Sequence, residues 1–217
     1  LVSIILSLSI SYIYLIYVDF EFKSQARIEI IDKAQDSEMA LPTAMTVFNR
    51  SMINLDNEIG VLNSFSLHKR SVSSLRSNIK YYSIGRIKTS ESHISEWYDD
   101  FDLIFNIDTD SITQKHSYII SSDKSNLYID KYNSNDELLK SFTFDGLTTK
   151  TDKNELPFSL EIRQDSKPEI NRMISFFPYN ETVDTYRSIV KVNESSPNSD
   201  QLDLSISYPN KLIGNDY

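Results

Sequence analysis

The sequence predicts an α+β protein: a long N-terminal helix, apolar and then amphipathic and kinked near Pro42, followed by an antiparallel β-rich domain. Three observations carry this. No charged residue occurs between Leu1 and Val18. Apolar positions from Ile28 to Leu62 recur largely three or four apart, the period of a helix face. From Trp97 onward, short β-branched and aromatic runs alternate with turn-forming clusters.

The opening run, LVSIILSLSISYIYLIYV, would span roughly 27 Å as a helix, against the ~30 Å hydrocarbon core of a bilayer. Phe20 and Phe22 can extend it, and its tyrosines suit a membrane interface. No small-x-small cleavage site follows, which favours a retained anchor over a removed secretory signal. Ser3, Ser7 and Ser11 recur every four residues, the pattern of a small-residue stripe along which helices approach closely, although serines merely tolerated in a helix give the same spacing. The expected packing residues are Leu1, Ser3, Ile4, Ile5, Ser7, Leu8, Ser11 and Leu15.

Beyond Lys23, Ile28, Ile31, Ala34, Met39, Leu41, Met45, Phe48, Met52, Leu55, Ile59 and Leu62 continue a helical phase to about residue 65. Pro42 removes one backbone hydrogen bond and clashes with the preceding turn, so a kink is expected near Ala40 and Leu41. Residues 1–65 are thus expected to form a membrane or filament helix with its stalk. The Ser- and Lys/Arg-rich segment 66–96 reads as a loop or short helical connection. Residues 97–217 read as a β-rich extracytoplasmic domain, with strands at 103–107, 118–121, 127–132, 141–144, 158–162, 173–177, 188–192 and 202–208. Turn compositions separate these runs and no helical crossover intervenes, which fits antiparallel pairing and disfavours βαβ units.

Composition excludes several functions. The net charge of −9 argues against nucleic acid as a partner, since that affinity rests on Lys and Arg replacing phosphate counterions. Four glycines and no GxGxxG or P-loop pattern disfavour a phosphate-cradling loop. The absence of cysteine removes disulfides, thiolate zinc sites and cysteine nucleophiles together.

Among acidic residues, Asp99, Asp100, Asp102, Asp108 and Asp110 form the densest cluster, and Asp108-Thr109-Asp110 offers hard oxygen ligands at a spacing that calcium could use. The run from Asp108 lacks the sixth-position Gly and acidic twelfth position of an EF-hand, so a solvated acidic face is the favoured reading. His68, His93 and His116 are isolated in sequence, without HExxH, and read as surface histidines. No G-x-S-x-G elbow occurs. No catalytic residue and no cofactor is expected.

An apolar helix that continues as an amphipathic helix and ends in an antiparallel sheet resembles the type IV pilin and type II secretion pseudopilin family, chiefly over residues 1–65. Residues 127–163 add a strand–turn–strand pattern like that of minor pilins. The resemblance implies a structural, non-enzymatic subunit, membrane-anchored and then extracellular in a filament. Its partners would be other pilin-like subunits or membrane helices, in a homo- or hetero-oligomer. Ile5 stands where the family's major subunits carry Glu, which implies a minor, tip-type subunit. The alternative is a single-pass, membrane-anchored sensor or scaffold domain binding a small ligand or partner protein.

Overall fold

A computed structural model describes residues 2–18, 20–31, 55–123, 126–149, 155–163, 170–196 and 200–217. The expected fold class is corrected at its first element. Helix α1 runs only from Val2 to Tyr17, 16 residues and about 24 Å. The chain then turns into a strand, β1 (Phe22–Glu29). Among the described residues no helix is long and apolar enough to cross a membrane.

The physical reason lies in residues 22–29. Phe22, Ser24, Ala26 and Ile28 alternate with Lys23, Gln25, Arg27 and Glu29, a period of two that puts all the charge on one face. The smaller face meets Tyr208, Ile206, Leu204 and Leu202 of the C-terminal strand β11 (Gln201–Tyr208), antiparallel and in register along the whole length of β1. The Arg27–Asp203 ion pair, at 2.7 Å, closes the outer face. The predicted kink at Pro42 lies outside the described residues.

Within the predicted connecting segment, the structure instead has regular elements. After α2 (Leu55–Leu62), Ser64 caps α3 (Phe65–Leu75) by accepting a hydrogen bond from the Leu67 N–H, and the helix ends at Arg76 in the left-handed region, φ 51°. Strands β2 (Ile79–Ile84) and β3 (Thr89–Ser92) follow. Gly85 sits in their turn because a Cβ there would come within 2.7 Å of the Lys88 carbonyl oxygen.

The remaining strands are β4 (Phe101–Phe105), β5 (His116–Ser122), β6 (Asn126–Tyr132), β7 (Leu138–Asp145), β8 (Phe158–Ile162), β9 (Ile170–Phe176) and β10 (Val190–Glu194). Helix α4 (Tyr179–Ile189) precedes β10, and a short α5 (Lys211–Asp216) follows β11. They make a six-stranded sheet of order β3-β2-β9-β5-β6-β7, a pair β4-β8, and a three-stranded sheet β1-β11-β10, all antiparallel in their strand pairs.

Two cores hold this together. In the larger, Tyr81, Tyr118, Ile120, Leu127, Ile129, Phe142 and Ile174 on one face of the six-stranded sheet pack against Trp97, Phe101, Phe158, Leu160 and Ile162. The alternation of Phe158, Leu160 and Ile162 with Ser159 and Glu161 turns β8 apolar side inward. In the smaller core, Tyr179, Val183 and Tyr186 recur along α4 and meet Val72 of α3 and Ile206 and Tyr208 of β11. Thus α3 and α4 cover the three-stranded sheet and join it to the larger body.

Since the chain has no cysteine, the β1–β11 register can be tested with one introduced pair: Ala26→Cys with Leu204→Cys should form a disulfide on mild oxidation. Ala26→Cys with Asp203→Cys, out of register, should not; equal yields would refute the strand pairing. Phe158→Ala, at a site 1% exposed, should cost about 3–5 kcal/mol by urea unfolding.

Candidate functional site

Sequence-predicted site residues fall in two places. On α1, every described side chain from Ser3 to Leu15 is exposed, so Ser3, Ile4, Ile5, Ser7, Leu8, Ser11 and Leu15 are left uncovered by the rest of the described chain; Leu1 lies outside the described residues. Asp108 precedes, and Asp110 lies within, a 3-10 turn at Thr109–Ser111. Asp108 caps it by accepting from the Asp110 N–H at 3.2 Å, and Asp110 accepts from the Ser73 hydroxyl at 3.3 Å. These bonds give the pair a turn-forming role. Among the described residues no group of three or more His, Cys, Asp or Glu is placed to hold a metal ion.

The polar chemistry gathers instead at the seam between the two larger sheets. Lys80 of β2 donates to the Tyr208 hydroxyl at 2.9 Å, and that hydroxyl donates to the Glu91 carboxylate of β3 at 3.0 and 3.1 Å. Lys80 and Glu91 are themselves 3.7 Å apart, and the lysine ammonium lies over the rings of Phe177 and Tyr208. Burial, with Tyr186 and Glu91 close by, drives the Tyr208 pKa far above the ordinary phenol value. Tyr208 is therefore a permanent hydrogen-bond donor at neutral pH, unsuited to act as a base.

The seam also seats α5. Asn210 donates to the Glu91 carbonyl and caps α5 by accepting from the Leu212 and Ile213 N–H groups. His93 meets Asp216 at 2.7 Å, and the Ser24 hydroxyl donates to Asn215 at 2.6 Å. Gly214 passes so close that an added Cβ would lie 3.3 Å from the Tyr208 Cβ. Tyr217 stacks on Tyr186 with ring centroids 4.2 Å apart, and its hydroxyl lies 2.7 Å from His68 Nδ1.

His68 overturns the surface reading: it is 4% exposed, facing the three-stranded sheet from α3. Burial lowers its pKa, the Arg187 guanidinium lowers it further, and the Leu62 backbone acts in the opposite sense. Beside it opens a groove of about 400 Å³ lined by Leu62, Leu67, Ala26, Val190, Leu204 and Ile206, with Ser71, Ser205 and Asn215 among its polar groups. A second hollow, about 500 Å³, lies on the six-stranded sheet between Tyr82 and Tyr132, over the Ser117–Ser175 hydroxyl pair.

None of His68, Lys80, Glu91, Tyr208 and Tyr217 is distinguishable in the sequence. His68 and Tyr217 are separated by 149 positions, and no local spacing signals that convergence. No protein-family model matches the chain, and no curated protein matches it.

Two outcomes follow. The His68 and His116 pKa values are both depressed, chiefly by burial, from the ordinary 6.5. The unfolded chain therefore takes up protons first as pH falls. The stability these groups contribute is complete above about pH 6.5 and declines below it. Urea midpoints should drop between about pH 7 and 5.5, and His68→Gln with His116→Gln should flatten that drop. At the seam, Tyr208→Phe should cost about 1–2 kcal/mol, and a double-mutant cycle with Glu91→Gln should give a coupling above about 0.5 kcal/mol. Strict additivity would remove the seam's energetic role.

Proposed function

We propose that this chain is a membrane-anchored, non-catalytic binding or scaffold domain, held at the extracytoplasmic surface by α1. The observation that carries the reading is α1 itself. Its sequence has no charged residue, and its described side chains are exposed on every side, with Ile4, Leu8 and Tyr12 at 62%, 65% and 67%. A helix apolar all round is stable only in apolar surroundings, whether lipid or other helices. At ~24 Å, the described helix reaches most of the way across a ~30 Å hydrocarbon layer.

The polar clusters support a binding role over a catalytic one. His68, His93, Lys80 and Glu91 all hold secondary-structure elements together.

A pilin-like filament subunit is less well supported, because that resemblance depended on one continuous helix over residues 1–65 and β1 occupies positions 22–29 instead. The Ser3, Ser7 and Ser11 stripe still fits contact between α1 and a neighbouring membrane helix, so the partners proposed are membrane helices and the lipid around them.

Flotation on a density gradient with liposomes tests the anchor. The chain should rise with the lipid. Ile5→Lys with Leu8→Lys should return most of it to the soluble fraction, since each charge at helix mid-depth costs about 2.5–3.5 kcal/mol. An unmodified chain that stays at the bottom would sink the proposal.

A further inference from the structure

The loop that joins β2 to β3 holds an apolar side chain out into solvent. It is tight: the Gly85 N–H donates to the Lys88 carbonyl at 3.1 Å, and a Cβ at Gly85 would collide with that same oxygen. The two residues between them, Arg86 and Ile87, are both exposed. Ile87 is 68% exposed, as much as the apolar residues of α1.

The loop lies at the α1 end of the body. β2 and β3 pair from Tyr81↔Ser92 to Ile84↔Thr89, so the loop continues beyond Thr89. There a hollow of about 380 Å³ is lined on one side by Val18, Phe20 and Phe22, where the chain leaves α1, and on the other by Lys88, Thr89 and Ser90. Phe20 and Phe22 are themselves exposed. An α1 inserted in a bilayer as far as Tyr17 therefore brings Ile87 close to the level where hydrocarbon gives way to headgroups.

Charge points to the same surface. The chain carries −9, yet between Glu58 and Glu91 it has six Lys or Arg and no Asp or Glu. Two of the six, Arg86 and Lys88, flank Ile87. Arg86 makes no ion pair among the described residues. Nearby carboxylates are Glu21, ahead of β1, and Glu91, which already accepts from Tyr208. An apolar tip between two cations matches a bilayer surface, where phosphates lie above hydrocarbon and long basic side chains reach up to them.

We infer that the β2–β3 loop rests on the bilayer that α1 enters, with Ile87 inserted among the lipid headgroups and Arg86 and Lys88 against their phosphates. This contact presupposes the membrane-anchor reading and adds an orientation to it. A domain held at both α1 and Ile87 sits on the membrane in one pose, where α1 alone would leave it to swing.

The chain has no cysteine, so single sites can be labelled for the test. Thr89→Cys places a fluorophore beside the loop and leaves Ile87 intact; Leu138→Cys is the reference. Leu138 lies at the diagonally opposite corner of the six-stranded sheet: β7 is its other edge, and position 138 aligns through Tyr132, Ser117 and Ser175 with Lys80, far from the loop along β2. The full chain is reconstituted in phosphatidylcholine and phosphatidylglycerol vesicles with spin-labelled headgroups. The label at 89 should be quenched and the label at 138 should not. Arg86→Glu with Lys88→Glu should cut the quenching at 89 about fivefold or more, and Ile87→Asp should also reduce it, while each variant still floats with lipid. Equal quenching at 89 and 138, or quenching at 89 that neither variant changes, in a chain that floats would overturn the loop contact and leave the anchor standing. A chain that does not float removes the anchor and the contact with it.

Discussion

The antiparallel pairing of β1 with β11 is the constraint on which the rest of the molecule depends. It joins residues 22–29 to residues 201–208 and so closes almost the whole chain into one loop. Because β11 also pairs with β10, it becomes the centre of the three-stranded sheet and supplies the Leu202, Leu204, Ile206 and Tyr208 face. Everything packed on that face, α3, α4 and α5, presupposes β1 at its edge. Loop-closure entropy makes such a contact costly to form early, so local pairs such as β5–β6 and β6–β7 are better placed to lead folding.

The seam of Lys80, Glu91 and Tyr208 converts two sheets into one body. A phenol hydroxyl between an ammonium and a carboxylate satisfies both charges while tolerating partial burial, which neither charge would do alone. Aromatic rings add to it: Tyr186 stacks with both Tyr208 and Tyr217. The C-terminal helix is seated by this arrangement more than by its own length, since six residues make a poor helix in isolation.

Much of the β architecture was legible in the sequence, and the N-terminal stalk was not. The predicted runs from 103–107 to 202–208 overlap β4 to β11 because alternation and Asn/Asp turns are local signals, but the helix-free reading of this region is corrected by α4, which stands between β9 and β10 and takes Ser188 and Ile189 from the predicted 188–192 strand. The turn at Asn133–Glu137 shows why: Asn133 Oδ1 accepts from the N–H groups of both Asn135 and Glu137. Residues 22–29 also alternate, with Lys23, Gln25, Arg27 and Glu29 on one face, but helical spacing counted over a longer window hid the shorter period. β2 and β3 were missed in a Ser- and Lys-rich stretch whose strand identity comes from pairing, β2 with β9 and β3 with β2. His68 read as a surface residue because its burial is created by Tyr217, at the far end of the chain.

The direction of the β1–β11 pair has a mechanical corollary. Phe22 sits opposite Tyr208, and Ser24 is bonded to Asn215, so the strand that leaves α1 and the segment that follows β11 emerge side by side. A load applied between those two points acts as a zipper pull: the strands would separate rung by rung, starting from Phe22, where a shearing load would have to break all rungs at once. Among the described strands, β1 has no neighbour on its other side to share that load. The first rungs to open lie next to Ser24 and Ala26, two of the groove's lining residues. Tension at the α1 end would therefore be felt first as a widening of that groove, well before either hydrophobic core is exposed.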